Sequence, residues 1–153
     1  MKTIKASLLM IISLFVSAGA AQAEDKYALG LQSMYISNGI SGKLFLNDKT
    51  SLQAVLGSGW WSTDIAVRGL FKFKEEKKYN LYGAAGVGVQ MWRFGTGTGI
   101  DFNGSVGIET NWENWIDDIF PLWWSFEVGA GFATADFYTP SLVRINGGVH
   151  YRF

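Results

Sequence analysis

Polar and apolar residues alternate along much of this chain, most clearly in its last thirteen residues, 141–153. Reading back from Phe153, every second residue as far as Val143 is apolar or glycine. The residues between them are polar, basic or glycine. Successive side chains of a β-strand point to opposite faces, so this segment predicts a strand with one apolar and one polar face.

Seven earlier segments repeat this alternation, some of them more weakly, and residues typical of turns separate them. The predicted strands are 27–36, 40–47, 51–60, 64–74, 79–92, 100–109, 122–132 and 143–153. The predicted turns are 37–39, 47–49, 75–78 and 95–99. Ten strands would be too short to cross a bilayer, and eight is the even number that fits the length. The pattern therefore predicts an all-β, eight-stranded, antiparallel, up-and-down barrel.

The N-terminus has the features of a cleaved export signal. Lys2 and Lys5 form a basic start, residues 8–16 are apolar, and residues 21–23 fit a small-x-small cleavage site. A membrane-anchoring helix is the alternative, but this apolar run falls short of the ~20 residues that a spanning helix needs. We therefore expect residues 1–23 to form a signal peptide and residues 24–153 to form one barrel domain.

No stretch after residue 23 is long and apolar enough for a transmembrane helix. A soluble β-sandwich or a lipocalin-like barrel would also alternate, so we use the aromatic residues to decide between these classes and a transmembrane barrel. Aromatic residues fall near the ends of the predicted strands, where the two interfaces of a bilayer favour them. The tryptophans assigned to the membrane interfaces are Trp60, Trp61, Trp92, Trp112, Trp115, Trp123 and Trp124. This distribution favours a transmembrane barrel. With an even number of strands, if both termini face the periplasm, the long connection 110–121 lies on the periplasmic side as well.

The terminal strand, which ends in Phe153 with Tyr151 two residues earlier, resembles the closing strand of Gram-negative outer-membrane β-barrels. The whole pattern is similar to small eight-stranded members, the OmpA transmembrane domain and OmpX type. This resemblance implies an outer-membrane location, contact with outer-membrane lipid and lipopolysaccharide, and insertion by the outer-membrane assembly machinery. The residues that the machinery would recognise are Val143, Ile145, Val149, Tyr151 and Phe153.

Composition excludes several classes of function. The chain has no cysteine, which rules out disulfides and thiolate metal sites, and a single histidine argues against any metal site or cofactor. Removing Lys2 and Lys5 from the 13 basic residues leaves 11 against 13 acidic residues, a formal charge of −2. Such a chain is not expected to bind nucleic acid. We expect a monomer without cofactors.

The polar faces of the strands should line a narrow lumen, because an eight-stranded barrel holds its own side chains or one small ligand. The predicted polar network of the lumen comprises Lys43, Arg68, Lys72, Asp101, Glu109, Glu127, Arg144, His150 and Arg152. Unpaired buried charges are costly, so these groups must pair, keep water or bind an anion. A filled lumen with a structural or interaction role is the first hypothesis, and a narrow pore or small-ligand carrier is the alternative.

Catalysis is the least favoured hypothesis. His150 is the only histidine, and no spacing places Ser105 or Ser125 beside it as a nucleophile. Lipid A deacylases of similar architecture carry a His-x-Ser-Asn run, but residues 35–38 have Tyr35 where that histidine should be. Lipid A palmitoyltransferases need a histidine near the outer surface, and none is expected there. We therefore predict no catalytic residue.

Overall fold

The computed structural model describes residues 26–34, 37–60, 62–93, 97–116, 121–134 and 139–153, with the side chains of 139–142 excepted. The strands are β1 (Tyr27–Met34), β2 (Ser37–Phe45), β3 (Thr50–Ser58), β4 (Ser62–Glu75), β5 (Asn80–Trp92), β6 (Thr98–Asn111), β7 (Leu122–Thr134) and β8 (Thr139–Arg152). A short 3-10 helix, Trp112–Asn114, follows β6. Within these ranges, no helix is long and apolar enough to span a membrane. The predicted signal peptide lies outside the described residues.

The eight strands form one closed barrel in which each strand pairs antiparallel with the next and β8 pairs with β1. The closing pairing runs from Ala28 opposite Arg152 to Ser33 opposite Gly147. Two further backbone hydrogen bonds, of 3.1 and 2.8 Å, join Tyr27 to Phe153, next to the pair of Ala28 and Arg152. The prediction of an all-β, eight-stranded, up-and-down barrel is confirmed.

The alternation of residue types sets which side chains point into the barrel. Along β4, Ile65 and Val67 are about half exposed on the outer surface, whereas Arg68, the residue that follows Val67, is 1% exposed and points inward. The same parity holds on the other strands, where most large apolar side chains are exposed on the outer face and most polar side chains are buried, although the inward rows also include Val55 and Leu70. The apolar faces of the strands therefore form the outer wall, and the polar faces enclose the lumen.

One predicted turn is wrong. Residues 37–39 belong to β2, and Ser37 already pairs with Met34 of β1. Asn38 pairs with Ser33 on one side and Ser58 on the other, and a Cβ atom at Gly39 would overlap the backbone of Leu56. The glycine here serves close strand packing and not a turn, which the residue types alone do not distinguish.

The connection after β6 is held against the neighbouring β4–β5 turn. The Trp115 indole N–H donates to the Thr110 hydroxyl at 3.0 Å, and the Thr110 hydroxyl donates to the Lys78 carbonyl oxygen at 2.5 Å. The Lys78 ammonium lies 4.6 Å from the centre of the Trp115 ring. These contacts fix the first half of the long connection predicted at 110–121, of which residues 117–120 lie outside the described ranges.

Candidate functional site

Glu127 on β7 is the centre of the buried polar groups in the lumen. Its two carboxylate oxygens accept hydrogen bonds of 2.6 and 2.8 Å from the Arg68 guanidinium of β4. The Tyr82 hydroxyl donates at 2.8 Å, the Ser105 hydroxyl at 3.0 Å and the Asn146 amide at 3.3 Å. A bidentate pairing with arginine and three further donors satisfy a carboxylate that water does not reach.

Arg68 also links Glu127 to polar side chains of the strands on the other side of the lumen. Its Nε and Nη2 atoms donate to Gln53 Oε1 at 3.2 and 2.7 Å. The Gln53 amide donates to Gln32 Oε1 at 3.0 Å and to the Ser41 hydroxyl at 2.8 Å. Ser41 in turn shares a 2.5 Å hydrogen bond with Nε2 of His150.

These bonds form one continuous network, which we call the eight-strand network because every strand contributes to it. In strand order its members are Gln32, Ser41, Gln53, Arg68, Tyr82, Ser105, Glu127, Asn146 and His150, the last two both from β8. Side chains from opposite walls meet across the lumen, so at this level the lumen is filled by protein.

Inward glycines make room for the largest members. A Cβ atom at Gly86 would lie 2.6 Å from Arg68 Cγ, and one at Gly107 would lie 2.7 Å from the Tyr82 ring and 2.8 Å from Glu127 Cγ. Real Cβ contacts are essentially never this short, so the network and these glycines require each other. The glycine-rich run 83–88 lies within β5 and supplies one of them.

A second group of charges closes the lumen at the end that holds the termini. Glu109 lies 3.4 Å from the Lys43 ammonium and 3.9 Å from the Arg152 guanidinium. The guanidinium also stacks on two rings, 4.1 Å from the centre of Phe45 and 4.3 Å from that of Trp123. We call these five residues the terminal-mouth cluster.

A third group lies toward the opposite end. Arg144 on β8 pairs with Asp101 on β6, with N···O distances of 2.7 and 2.9 Å. The Asn103 amide donates to the same carboxylate at 3.1 Å. Both charged side chains are mostly buried, so the lumen holds paired charges at three levels along its length.

Lys72 is the predicted lumen residue that the structure places apart from these groups. Its ammonium pairs at 3.1 Å with Glu75, an exposed residue of the same strand. The reason is the length of β4, which continues past the position where Phe71 pairs with Thr50, the first residue of β3. The alternating pattern indicated the facing of Lys72 but not that this part of β4 lies at the barrel's end.

The tryptophans assigned to the membrane interfaces divide into two sets. Trp60 is 88% exposed, Trp115 and Trp112 are also exposed, and Trp124 belongs to the outward row of β7. Trp92 and Trp123 instead belong to inward rows, opposite Ser62 and His150 respectively, so their assignment to the outer surface is wrong. Both tryptophans lie at strand ends, but a position at a strand end does not show which side of the wall a ring faces. Trp61 lies outside the described residues.

The residues of the predicted assembly signal share one side of β8. Val143, Ile145, Val149 and Tyr151 are exposed on the outer wall, and the Phe153 ring stacks beside Tyr151 with 6.3 Å between the ring centres. This apolar row is continuous with the outer faces of β7 and β1, which pair with β8 on either side.

Ser41 and His150 form the pair that most resembles a catalytic arrangement, and their spacing in the sequence did not indicate it. Gly30 pairs with Ser41 on one side and His150 on the other, and because it lacks a side chain the two residues meet across it. The proximity of Ser41 and His150 can be recognised only when the register of β1 with its two neighbouring strands is known. Both side chains are almost fully buried, and the described residues offer His150 Nδ1 no hydrogen-bond partner. A serine–histidine–acid site requires such a partner and access for substrate.

The described residues hold no cluster of three or more histidine, cysteine, aspartate or glutamate side chains that could bind a metal. A polar cleft of about 160 Å³ opens beside the terminal-mouth cluster, between the β4–β5 turn and the 3-10 helix. It is lined by Glu76, Lys77, Lys78, Tyr79, Asn80, Asn111, Asn114 and Trp123. Comparisons of the chain with protein families, with curated proteins and with solved structures find no match.

Proposed function

We propose that this protein is an integral outer-membrane β-barrel of a Gram-negative bacterium, of the OmpA transmembrane domain and OmpX type, with a filled lumen and a structural or interaction role. The observation that carries the proposal is the reversed polarity of the barrel. Exposed apolar side chains cover the outer wall, and charged and polar side chains fill the interior.

A water-soluble barrel would have the opposite arrangement. Apolar residues such as Leu31, Val106 and Val143 are each more than 60% exposed, and similar residues lie on every strand. Exposing them to water costs roughly 25 cal/mol per Å². Soluble monomers rarely expose apolar patches beyond a few hundred Å². A bilayer covers this surface, and a closed barrel leaves no unpaired strand edge in the hydrocarbon.

Two sequence features support export to that membrane. Residues 1–23 have the pattern of a cleaved signal peptide, and the C-terminal strand carries the apolar row ending in Phe153. The assembly machinery would recognise this row, and outer-membrane lipid and lipopolysaccharide would surround the folded barrel. We expect a monomer that binds no nucleic acid.

Three levels of paired charge in the lumen favour a filled barrel over the alternative, a narrow pore or small-ligand carrier. The central pair, Arg68 and Glu127, is almost fully buried and bidentate. Conduction would require these bonds to open at a cost of several kcal/mol. A lipid A-modifying enzyme is the least supported function, because Ser41 and His150 are enclosed by the same network.

Cell fractionation and electrophoresis test the membrane assignment. The mature chain should be found in the outer-membrane fraction and should migrate differently before and after boiling, because closed membrane barrels resist unfolding in detergent. A chain that stays soluble after export and shows no heat-dependent shift would overturn the proposal.

Mass spectrometry of lipid A tests the enzymatic alternative. Lipid A from cells that express the protein should be identical to that from cells that lack it. A mass change that disappears in both Ser41→Ala and His150→Ala variants would show that these residues act on lipid and that the role is catalytic.

A further inference from the structure

The barrel wall is uneven in height. Strands β1, β2 and β3 have 8, 9 and 9 residues, whereas β4 to β8 have 14, 13, 14, 13 and 14. Strands β1, β7 and β8 meet at the end that holds the termini, where Tyr27 is bonded to Phe153 and Leu122 pairs with Tyr151. We call the wall formed by β1–β3 the short sector.

The apolar part of the outer wall is reduced further in the short sector. On β3 the outward apolar positions run from Leu52 to Leu56, five residues, with Thr50 and Ser58 on either side. On β7 they run from Leu122 to Phe132, eleven residues. With a rise of about 3.3 Å per residue and a strand tilt of about 40°, these runs correspond to heights of about 10 Å and about 25 Å. Outer-membrane barrels match the bilayer with an apolar band of about 25 Å.

A row of polar residues crosses the outer surface at the upper edge of the short sector. Ser33 pairs with Asn38, Asn38 with Ser58, and Ser58 with Thr63, the first outward residue of β4. Ser33, Asn38 and Ser58 are exposed, and Thr63 is partly exposed. We call these four residues the outer polar row.

The two sides of the wall differ at the same height. Ser33 and Val128 each lie six residues above the first residue of their strands, Tyr27 and Leu122, at the terminal end. Both face outward, yet one is a serine and the other an apolar residue exposed by 43%. A flat slab of hydrocarbon that covered Val128 would also bury Ser33, the member of the outer polar row on β1.

We propose that lipid headgroups descend along the short sector to contact the outer polar row, so that the membrane is locally thin on this side of the barrel. Hydroxyl and amide groups buried in hydrocarbon without partners are costly, whereas a bilayer adapts to a short apolar wall at modest cost per ångström. The proposal rests on the membrane location given above and names the lipid group that this part of the wall contacts.

Spin labels provide the direct test, because the chain has no cysteine and each new one is labelled alone. Ser33→Cys and Val128→Cys carry a nitroxide at the same height on opposite sides. In liposomes, we expect the label at 33 to collide more with a water-soluble nickel complex than with oxygen. We expect the label at 128 to show the reverse. Equal, oxygen-rich profiles at both positions would overturn the proposal.

Two controls establish what the labels report. Heat-dependent migration of the same samples reports whether the barrel has inserted. Failure to insert counts against the membrane location itself. An inserted barrel with matching collision profiles at both positions counts only against a thin membrane beside the short sector. Spin–spin broadening of the label at 33 would show that a second copy of the chain covers the row, which would also overturn the proposal.

Bilayers of different thickness provide a second test. Ser33→Leu and Asn38→Leu together raise the apolar wall of the short sector, so refolding yield should shift its optimum toward longer acyl chains. Thr98→Leu is the matched control, because it adds an exposed leucine to β6, whose apolar band is already tall. No shift in the double variant, or an equal shift in the control, would contradict a thin sector.

Discussion

At the residue scale, the lumen shows how a narrow barrel accommodates charge. Glu127 receives donors from four other strands, and the Arg68 guanidinium bridges it to Gln53. Each donor satisfies a group that burial would otherwise leave unpaired, at a cost of about 1–3 kcal/mol for a neutral group and more for a charge. The eight-strand network therefore stabilises the barrel only when every donor in it has its acceptor.

Glu127→Leu should destabilise the barrel by about 3–5 kcal/mol, because it leaves the buried Arg68 guanidinium without its partner. The double variant Arg68→Met with Glu127→Leu should recover most of this loss, since two apolar residues replace the pair. Urea unfolding in lipid or detergent measures both values. Glu76→Gln is the control, because its pair with Lys74 is exposed to solvent and its loss should hardly change the free energy of unfolding. Equal losses in the control and in Glu127→Leu would contradict a buried hub.

Gly86→Ala should also destabilise the barrel, by about 1–3 kcal/mol, because the new methyl group overpacks against Arg68. Gly69→Ala on the neighbouring strand is the matched control. It faces outward, and a Cβ atom there meets nothing within 4 Å, so its free energy of unfolding should be unchanged or slightly raised. The same unfolding experiment compares the two variants, and equal effects would argue against close packing around Arg68.

At the element scale, β8 closes the barrel in two ways. Its backbone pairs with β1 and β7, and its inward residues Asn146 and His150 complete the eight-strand network. The last residue of the chain, Phe153, stacks against the Tyr27 ring, with 6.4 Å between ring centres. Closure and filling of the lumen are thus coupled, because neither is complete until β8 is in register.

Phe153→Ala should reduce the amount of folded protein in the outer membrane several-fold, because it removes the end of the apolar row proposed as the assembly signal. Quantitative blotting of membrane fractions measures the effect. Phe73→Ala is the control, since this phenylalanine is exposed near the same end of the barrel but on β4. If both variants accumulate to the same level, recognition does not depend on the terminal residue.

At the scale of the whole molecule, the outer wall and the lumen make separate demands on the chain. In the proposed membrane location the wall must be apolar and its strand edges closed, and the charges that the lumen encloses must be paired. The terminal-mouth cluster, the eight-strand network and the Arg144–Asp101 pair meet the second demand at three levels. Paired side chains therefore occupy the lumen at each of these levels.

Refolded protein in a planar bilayer should therefore show no discrete conductance. Replacing Arg68 and Glu127 together by serine removes the central pair and shortens both side chains, so this variant should leak ions more than the native protein. Lys74→Ser with Glu76→Ser is the matched control on the outer surface. Discrete channels in the native protein that disappear when Arg68 alone is neutralised would support the pore instead.

The sequence by itself determined the number of strands and the facing of most residues. Alternation with a period of two is a local property, and it separated Arg68 from Val67 and placed Glu127 and His150 on the polar face. It also predicted turns where the residue types left no alternative, as at 47–49. It failed at 37–39, because a glycine packed against a neighbouring strand looks the same in sequence as a glycine in a turn.

Only the tertiary structure decided which polar residues meet. The pairing of Ser41 with His150 across Gly30 depends on register on both sides of β1, and register is a relation between distant segments. The same relation placed Lys72 at the barrel's end and made the wall lower along β1–β3. Facing follows from each strand alone, whereas height and contact follow from how eight strands close on one another.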